Sequence, residues 1–478
     1  MTTTDQLDRR WMTLAVCCLS LLIVSLDNTI VNVALPSIHT DLRTSLSGLQ
    51  WTVDAYTLVL ATLLMLSGAL GDRLGRRRVF RTGLVLFTVG SLLCSLAPGA
   101  GWLVGFRMVQ AVGGSMLNPV AMGIIVNTFR DAGERARAIG AWGAVMGLGM
   151  ALGPVVGGAL VAAAGWRSVF WVNVPIGLTA LALTRRFVPE SRASRPRAID
   201  PAGQALVVVM LGALTYAIIE APARGWSSPL TIGLFVASAV AALALLAVEL
   251  RRHDPLIDPR FFRSAPFSAA TLTAITAFAA LGMFLFVNTL YLQSARGYSP
   301  IEAGLLTLPM ALVAGISSPL SGRLVALHGD RIPLLVAGGA TALGGAMLLS
   351  LSVNTGVPWL LVAYGITGLG FGVVNAPITN TATSGMPRSQ AGVAAAIAST
   401  CRQIGVSLGV AISGCLLAGA SGVRLATASH AVWALMVGCG VGVALLGVAG
   451  TSRWAARTTG HGTSLFDREG AQRDLVPG

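Results

Sequence analysis

The sequence predicts an all-α polytopic membrane protein of fourteen transmembrane helices, arranged as two six-helix halves with two further helices inserted between them. Three observations carry that expectation. Of 478 residues, 54% are hydrophobic and 11% charged, with a mean hydropathy of +0.75, whereas an average soluble chain is about 25% charged. Fourteen apolar stretches are long enough for the roughly 20 residues that a bilayer crossing needs at about 1.5 Å per residue, and charged or Gly/Pro-rich turns separate them. Short residue patterns also recur at a nearly constant spacing in the two ends of the chain.

The first stretch begins near Trp11 and closes on Leu26–Pro36, LDNTIVNVALP, with Asp27 inside it. It is too long for a signal-peptide core and no small-x-small cleavage site follows, so it should stay as helix 1. Helix 2 centres near Leu60, carries Asp54 and runs into Gly68–Arg78, GALGDRLGRRR. Helix 3 centres near Leu86, and helix 4, near Ala111, holds Arg107, Gln110 and Asn118. Helix 5 centres near Gly149 within GLGMALGPVVGG, and helix 6 near Ile176 follows GWRSVFWVNVPIG. Helices 7 and 8 centre near Leu211 and Val240, with Glu220 at the end of the first. Helices 9 to 14 centre near Leu281, Leu312, Leu343, Gly368, Gly405 and Val441. Glu302 stands where an acid would cap helix 10, and Arg402 lies within helix 13.

An even number of spans puts both termini on one side. All 33 basic residues are arginine. Arg43, Arg167, Arg224, Arg296 and Arg424 fall in one set of alternate loops, and Arg107 and Arg402 within spans. The rest lie in the tails and the other loops, as in Arg73 to Arg81, Arg130 to Arg137, Arg185 to Arg197 and Arg251 to Arg263. The positive-inside rule makes those loops and both termini cytoplasmic. The net charge of +14 is thereby a topology signal, and no nucleic-acid partner is expected.

Ser67-Gly68-Ala69-Leu70 recurs as Ser321-Gly322-Arg323-Leu324, 254 residues on; Gly149 to Gly153 recurs as Gly405 to Gly409, 256 on; Asn118-Pro119 resembles Asn375-Ala376-Pro377, 257 on. The expected organisation is therefore 1–185 for the first half, 186–266 for the inserted helices 7 and 8 with their loops, 267–452 for the second half and 453–478 for a cytoplasmic tail. Parallel repeats of this kind place a substrate path between the halves near the membrane midplane. Asp54, Gln110, Glu220 and the repeat-related Asn118 and Asn375 are assigned to that path.

In GALGDRLGRRR an aspartate, three glycines and four arginines fit a gating latch in which Asp72 caps a helix or pairs across the halves, with Gly68, Arg73, Gly75 and Arg76 around it. Gly149, Gly153 and Gly157 repeat every four residues and so line one helix face that another backbone can approach closely, while Pro154 bends the helix and Gly158 extends the run. These ten positions and Arg402 are expected to gate. Charges at membrane depth are expensive and are functional by default. Burial disfavours a charged Asp27 and a nearby Arg107 favours it, the opposed influences that proton coupling needs. Met310, Phe278, Phe284 and Phe286 read as core-packing or lipid-facing, with contact to an apolar ligand as the alternative.

Gly68, Leu70, Asp72, Arg73, Gly75, Arg76 and Arg77 match the Gly-x-Leu-x-Asp-Arg-x-Gly-Arg-Arg signature that the major facilitator superfamily carries between helices 2 and 3. Arg107 and Gln110 resemble that superfamily's Arg-x-x-Gln-Gly, with Ala111 where glycine is usual. Gly149 to Gly158 is similar to the Gly-x-x-x-Gly-Pro-x-x-Gly-Gly of its antiporters. With LDNTIVNVALP, WTVDAYTLVLA, GWRSVFWVNVPIG, IIEAPARGW and CRQIGVSLGVA, the chain resembles the fourteen-helix drug:proton antiporters. The resemblance implies a monomeric, proton-coupled exporter of hydrophobic drugs or antibiotics, cationic ones included, in a bacterial cytoplasmic membrane. The alternative is a proton-coupled or facilitative transporter of a polar metabolite. An enzyme is not expected, since His39, His253, His328, His430 and His461 lie in loops, ends or the tail, and no GxxxxGK[ST] loop points to ATP. The six cysteines all fall in apolar segments without metal-ligand spacing, so no metal, cofactor or disulfide is expected. The expected partners are a small-molecule substrate, protons and the lipid bilayer.

Overall fold

The computed structural model describes residues 3–129, 131–193, 199–252, 255–384, 386 and 390–458. Arg130, Arg195, Arg197, His253, His461 and most of the 453–478 tail lie outside them. Among the described residues fourteen helices are long and apolar enough to cross a membrane, and every span centre read from the sequence falls within one. They are α1 (Thr3–Leu42), α2 (Leu46–Leu74), α3 (Arg76–Ser95), α4 (Ala100–Thr128), α5 (Ala132–Ala164), α6 (Ser168–Phe187, broken at Val172), α7 (Pro201–Arg224) and α8 (Pro229–Glu249). There follow α9 (Ala265–Leu290, extended by a π turn Tyr291–Ala295), α10 (Pro300–His328), α11 (Arg331–Leu348), α12 (Val357–Ser384), α13 (Ala391–Leu416) and α14 (Val423–Gly450).

Short polar side chains start these helices by accepting from otherwise orphaned backbone N–H groups. Ser45 does so for α2, Asp131 for α5, Asp200 for α7 and Ser228 for α8. At α10 Ser299 and Glu302 form a reciprocal capping box, the Ser299 N–H donating to Glu302 Oε2 at 2.8 Å. Gly75 turns α2 into α3 at φ 111°, a backbone conformation that L side chains rarely adopt.

Small residues then decide which helices touch. Gly149, Gly153 and Gly157 of α5 lie on α1, where a Cβ added at Gly149 would stand 3.2 Å from the Leu22 carbonyl oxygen and one at Gly157 3.1 Å from that of Ile30. In the second half Gly405 and Gly409 of α13 lie in the same way against Ile275 and Ala279 of α9. Without a hydrophobic drive between helices in lipid, such close backbone approach is what holds a bundle.

The halves α1–α6 and α9–α14 meet along two seams, α5 with α10 and α2 with α13. The inserted hairpin α7–α8 lies against α2 and α13, and Gln204 Nε2 donates to the Thr62 carbonyl at 2.6 Å. On the face away from the arginine-rich loops the seams are closed. Gln50 Nε2 donates to the Ala411 carbonyl at 2.8 Å, Gln293 Nε2 to the Val33 carbonyl at 2.9 Å, and Gly158 abuts Pro300 and Ile301. Towards the arginine-rich face a cavity opens between α5 and α10.

Candidate functional site

Asp27 of α1 and Arg107 of α4 are 0% and 1% exposed and form an ion pair, Nη1 to Oδ2 at 2.5 Å. Each remaining polar position on the carboxylate is filled. Oδ1 accepts from Gln110 Nε2 at 2.8 Å and from Asn173 Nδ2 at 2.9 Å. Arg107 also donates from Nη1 to Gln110 Oε1 at 2.8 Å and from Nε to the Thr52 carbonyl at 3.2 Å, and its Cζ stands 4.1 Å above the Tyr56 ring.

Local sequence explains how Asn173 reaches the pair. The helix breaks at Val172 and restarts at Asn173, where Pro175 in the first turn lacks only an N–H that would be orphaned anyway. Ser91 of α3 completes the network, accepting from Asn173 Nδ2 at 3.1 Å and donating to the Phe170 carbonyl at 2.9 Å. A buried ion pair persists only when hydrogen bonds satisfy both partners, and removing one partner leaves an uncompensated charge. Neither partner can therefore leave the pair without a movement of the other or of its amide partners.

The other residues singled out in the sequence fall in several places. Asp54 is fully buried on the α2–α13 seam. Its Oδ1 accepts from Thr57 at 3.5 Å, its Oδ2 has no hydrogen-bond partner, and the Ser407 hydroxyl that faces it from α13 falls outside hydrogen-bond geometry. Asn118 has a buried Oδ1 without a partner, and Asn375 lines the cavity. Glu220 stands apart from both, accepting from Trp51 Nε1 at 3.1 Å and pairing with Arg224 at 3.5 Å, so it ties α7 to α2. Asp72 pairs with Arg76 one turn on, at 2.8 Å, within its own half; Arg73 is exposed and Gly68 faces Pro119. Arg402 donates to Ser399 Oγ at 3.0 Å and Thr379 Oγ1 at 2.5 Å.

The cavity between α5 and α10 is also walled by α9 and α12. Met146, Met150, Phe278, Met310 and Phe371 are the large apolar side chains among its lining, and Thr29, Ser318 and Asn375 are its polar lining. Phe278 and Met310 pack in or against the hydrophobic core and also line the cavity, where an apolar side chain can meet a ligand. Phe284 and Phe286 are fully buried in the core. Asn173, Ser91, Thr52 and Tyr56 join the network around the pair without standing out in the sequence, because a lone amide within GWRSVFWVNVPIG gives no signal of its partner.

The sequence profile of the Major Facilitator Superfamily matches residues 17–410. The chain belongs to the major facilitator superfamily. Over 407 residues it is 39% identical to multidrug resistance protein Stp of Mycobacterium tuberculosis, covering 85% of this chain and 76% of that one. It is 36% identical to the tetracenomycin C resistance and export protein of Streptomyces glaucescens, with 86% and 76% covered. The multidrug efflux pump LfrA of Mycolicibacterium smegmatis is 36% identical, with 86% and 82% covered. Among solved structures, a bacterial homologue of the lysosomal transporter Spinster superposes with a TM-score of 0.65 at 19% identity, over 95% of this chain and 98% of that one. That likeness shows the fold.

Proposed function

We propose that this protein is a secondary exporter that moves hydrophobic drugs or antibiotics out across a bacterial cytoplasmic membrane in exchange for protons, acting as a monomer with its arginine-rich loops and both termini in the cytoplasm. The observation that carries the reading is the sealed Asp27–Arg107 pair together with an apolar cavity that Thr29, two residues from Asp27, helps to line: a carboxylate with a single internal counter-charge, and a compartment whose lining suits apolar molecules. Export relatives at 36–39% identity support the direction of transport.

In the state seen here the ionised carboxylate holds Arg107, Gln110 and Asn173 together. A proton arriving on Asp27 removes the charge that holds the arginine, and the donors on α4 and α6 lose their shared acceptor. Rearrangement of α1, α4 and α6 would be transmitted along the α1–α5 glycine contact to the α5–α10 seam, which borders the cavity. Release of the proton to the cytoplasm restores the pair. Asp54, unpaired on the other seam, is the second acid within reach of the path, and Asn118 and Asn375 are the amides placed along it. Opening and closing falls to the α2–α3 turn around Asp72 and to the α5 glycines. The largely apolar lining gives no support to a polar metabolite as cargo.

The test is a drug-sensitive bacterial host expressing the protein, challenged with a panel of dyes and antibiotics with and without a protonophore. Raised resistance that the protonophore abolishes is expected; resistance unaffected by collapse of the proton gradient would overturn proton coupling.

A further inference from the structure

The cavity and the cation beside it bear on what the exporter carries, an inference that rests on the export reading above. Among the described residues lining the cavity there is no carboxylate and no charged group of either sign. Asp27 has both oxygens engaged inside the first half, and Asp54 is fully buried on the α2–α13 seam. Arg402 is joined to the cavity wall. It bonds to Thr379, one helical turn from the lining residue Asn375, and its Cζ stands 5.9 Å from the ring centroid of Phe278, which lines the cavity itself.

Arg402 is eleven residues into α13, about 16 Å at 1.5 Å per residue, and so close to the middle of a hydrocarbon core about 30 Å thick. A guanidinium at that depth is expected to have an acid opposite it. No ion pair to Arg402 forms among the described residues. Two of its five N–H groups reach neutral hydroxyls, and Nε is buried with no partner. This contrasts with Arg107 of the other half, whose charge Asp27 matches. A half-buried fork of donors with its charge unmatched, beside aromatic walls, is the arrangement that recognises a planar anionic oxygen group.

We infer that the cargo carries an apolar, ring-bearing body with an anionic oxygen, a carboxylate or phenolate, and that Arg402 binds that oxygen while Phe278 and Phe371 receive the body. A lipophilic cation would instead meet the uncompensated guanidinium.

The test uses two probes with one aromatic body and opposite charge, 1-pyrenebutyrate and 1-pyrenebutyltrimethylammonium, titrated at pH 7.5 onto the full-length protein in lipid nanodiscs with empty discs subtracted. The carboxylate should bind at least about tenfold tighter than the ammonium; Arg402→Gln should bring the two to within about twofold, and Arg402→Lys, which keeps the charge, should retain the preference. Equal or tighter binding of the ammonium by the natural protein, saturable binding of neither probe, or a preference that survives in Arg402→Gln would overturn the assignment. Because the titration involves neither transport nor a proton gradient, its outcome is separate from the export reading: a protein indifferent to probe charge can still export, and one that prefers the carboxylate can still fail to.

Discussion

Gly153 and Gly158 stand five residues apart on α5 but face different neighbours, and replacing each with alanine separates packing within a half from closure between halves. A Cβ at Gly153 would collide with the Thr29 side chain, 2.8 Å from its Cβ, and come within 3.2 Å of the Ile30 nitrogen, both on α1 of the same half. A Cβ at Gly158 would lie 2.9 Å from Ile301 Cα and 3.0 Å from the Pro300 carbonyl carbon, both backbone atoms of α10 in the other half. Backbone cannot rotate aside as a side-chain tip can, so each substitution carries an overpacking penalty of about 1 to 3 kcal/mol. For Gly153→Ala that penalty acts on folding and lowers Tm. For Gly158→Ala it acts only while the face away from the arginine-rich loops is closed, which shifts the conformational equilibrium about 5- to 150-fold towards opening there. Spin labels at exposed Thr40 and Asn354, one in each half on that face, report the separation by double electron–electron resonance. Gly158→Ala should add a longer-distance population with little change in Tm, and Gly153→Ala should do the reverse. An unchanged distance distribution in Gly158→Ala, with a shifted one in Gly153→Ala, would refute the assignment of the two faces.

Asn173→Ala removes one donor to Asp27 and leaves Ser91 without its amide, so pH-driven transport in proteoliposomes should fall roughly tenfold, the equivalent of one hydrogen bond to a charged group, while probe binding in nanodiscs is retained. The Glu190 carboxylate accepts from the Arg77 N–H at 3.1 Å, and the Ser191 carbonyl from the Arg76 N–H at 2.9 Å, strapping the segment after α6 onto the α2–α3 turn. Glu190→Ala should speed amide hydrogen exchange across 188–193 while changing Tm by no more than about 1 kcal/mol equivalent, since the site is exposed. Burial raises the Asp330 carboxyl above its usual value, against hydrogen bonds from Thr381 and Asn380 that lower it. An acid raised on folding contributes stability that is full below its unfolded value near 3.9 and is lost as pH climbs through the folded value. Asp330→Asn should therefore gain Tm relative to the natural protein as pH rises from about 4 towards neutrality, and a difference that is flat with pH would contradict this.

The fold was legible because bilayer thickness and the absence of water impose long apolar helices, and the two arginine-poor and arginine-rich sets of loops mark their ends. Asp27 and Arg107 stood out for the same reason, as charges that a merely spanning helix has no reason to keep. Asn173 and Ser91 did not, because small neutral polar residues are common in transmembrane helices and only the break at Val172 aims them at the carboxylate. The glycine run of α5 announced close backbone approach but not its partner; α1 takes Gly149, Gly153 and Gly157, while only Gly158 touches the other half. Glu220 looked like an acid on the path because sequence gives depth and not direction, and its partners turn out to be Trp51 and Arg224.

Proton coupling through Asp27 is tested most directly in proteoliposomes containing Asp27→Asn, with pH-driven accumulation and gradient-free counterflow of one exported compound measured side by side. Asparagine keeps the size and an acceptor for Gln110 and Asn173 but cannot titrate, and it leaves Arg107 buried without its counter-charge, a change worth about 3 to 5 kcal/mol. The double variant Asp27→Asn/Arg107→Gln removes both charges and so separates lost titration from an unmatched arginine. The account predicts that both variants lose accumulation under an imposed pH step, while the double variant retains counterflow. Accumulation against a gradient by either variant when the pH step is imposed would show that the proton enters elsewhere.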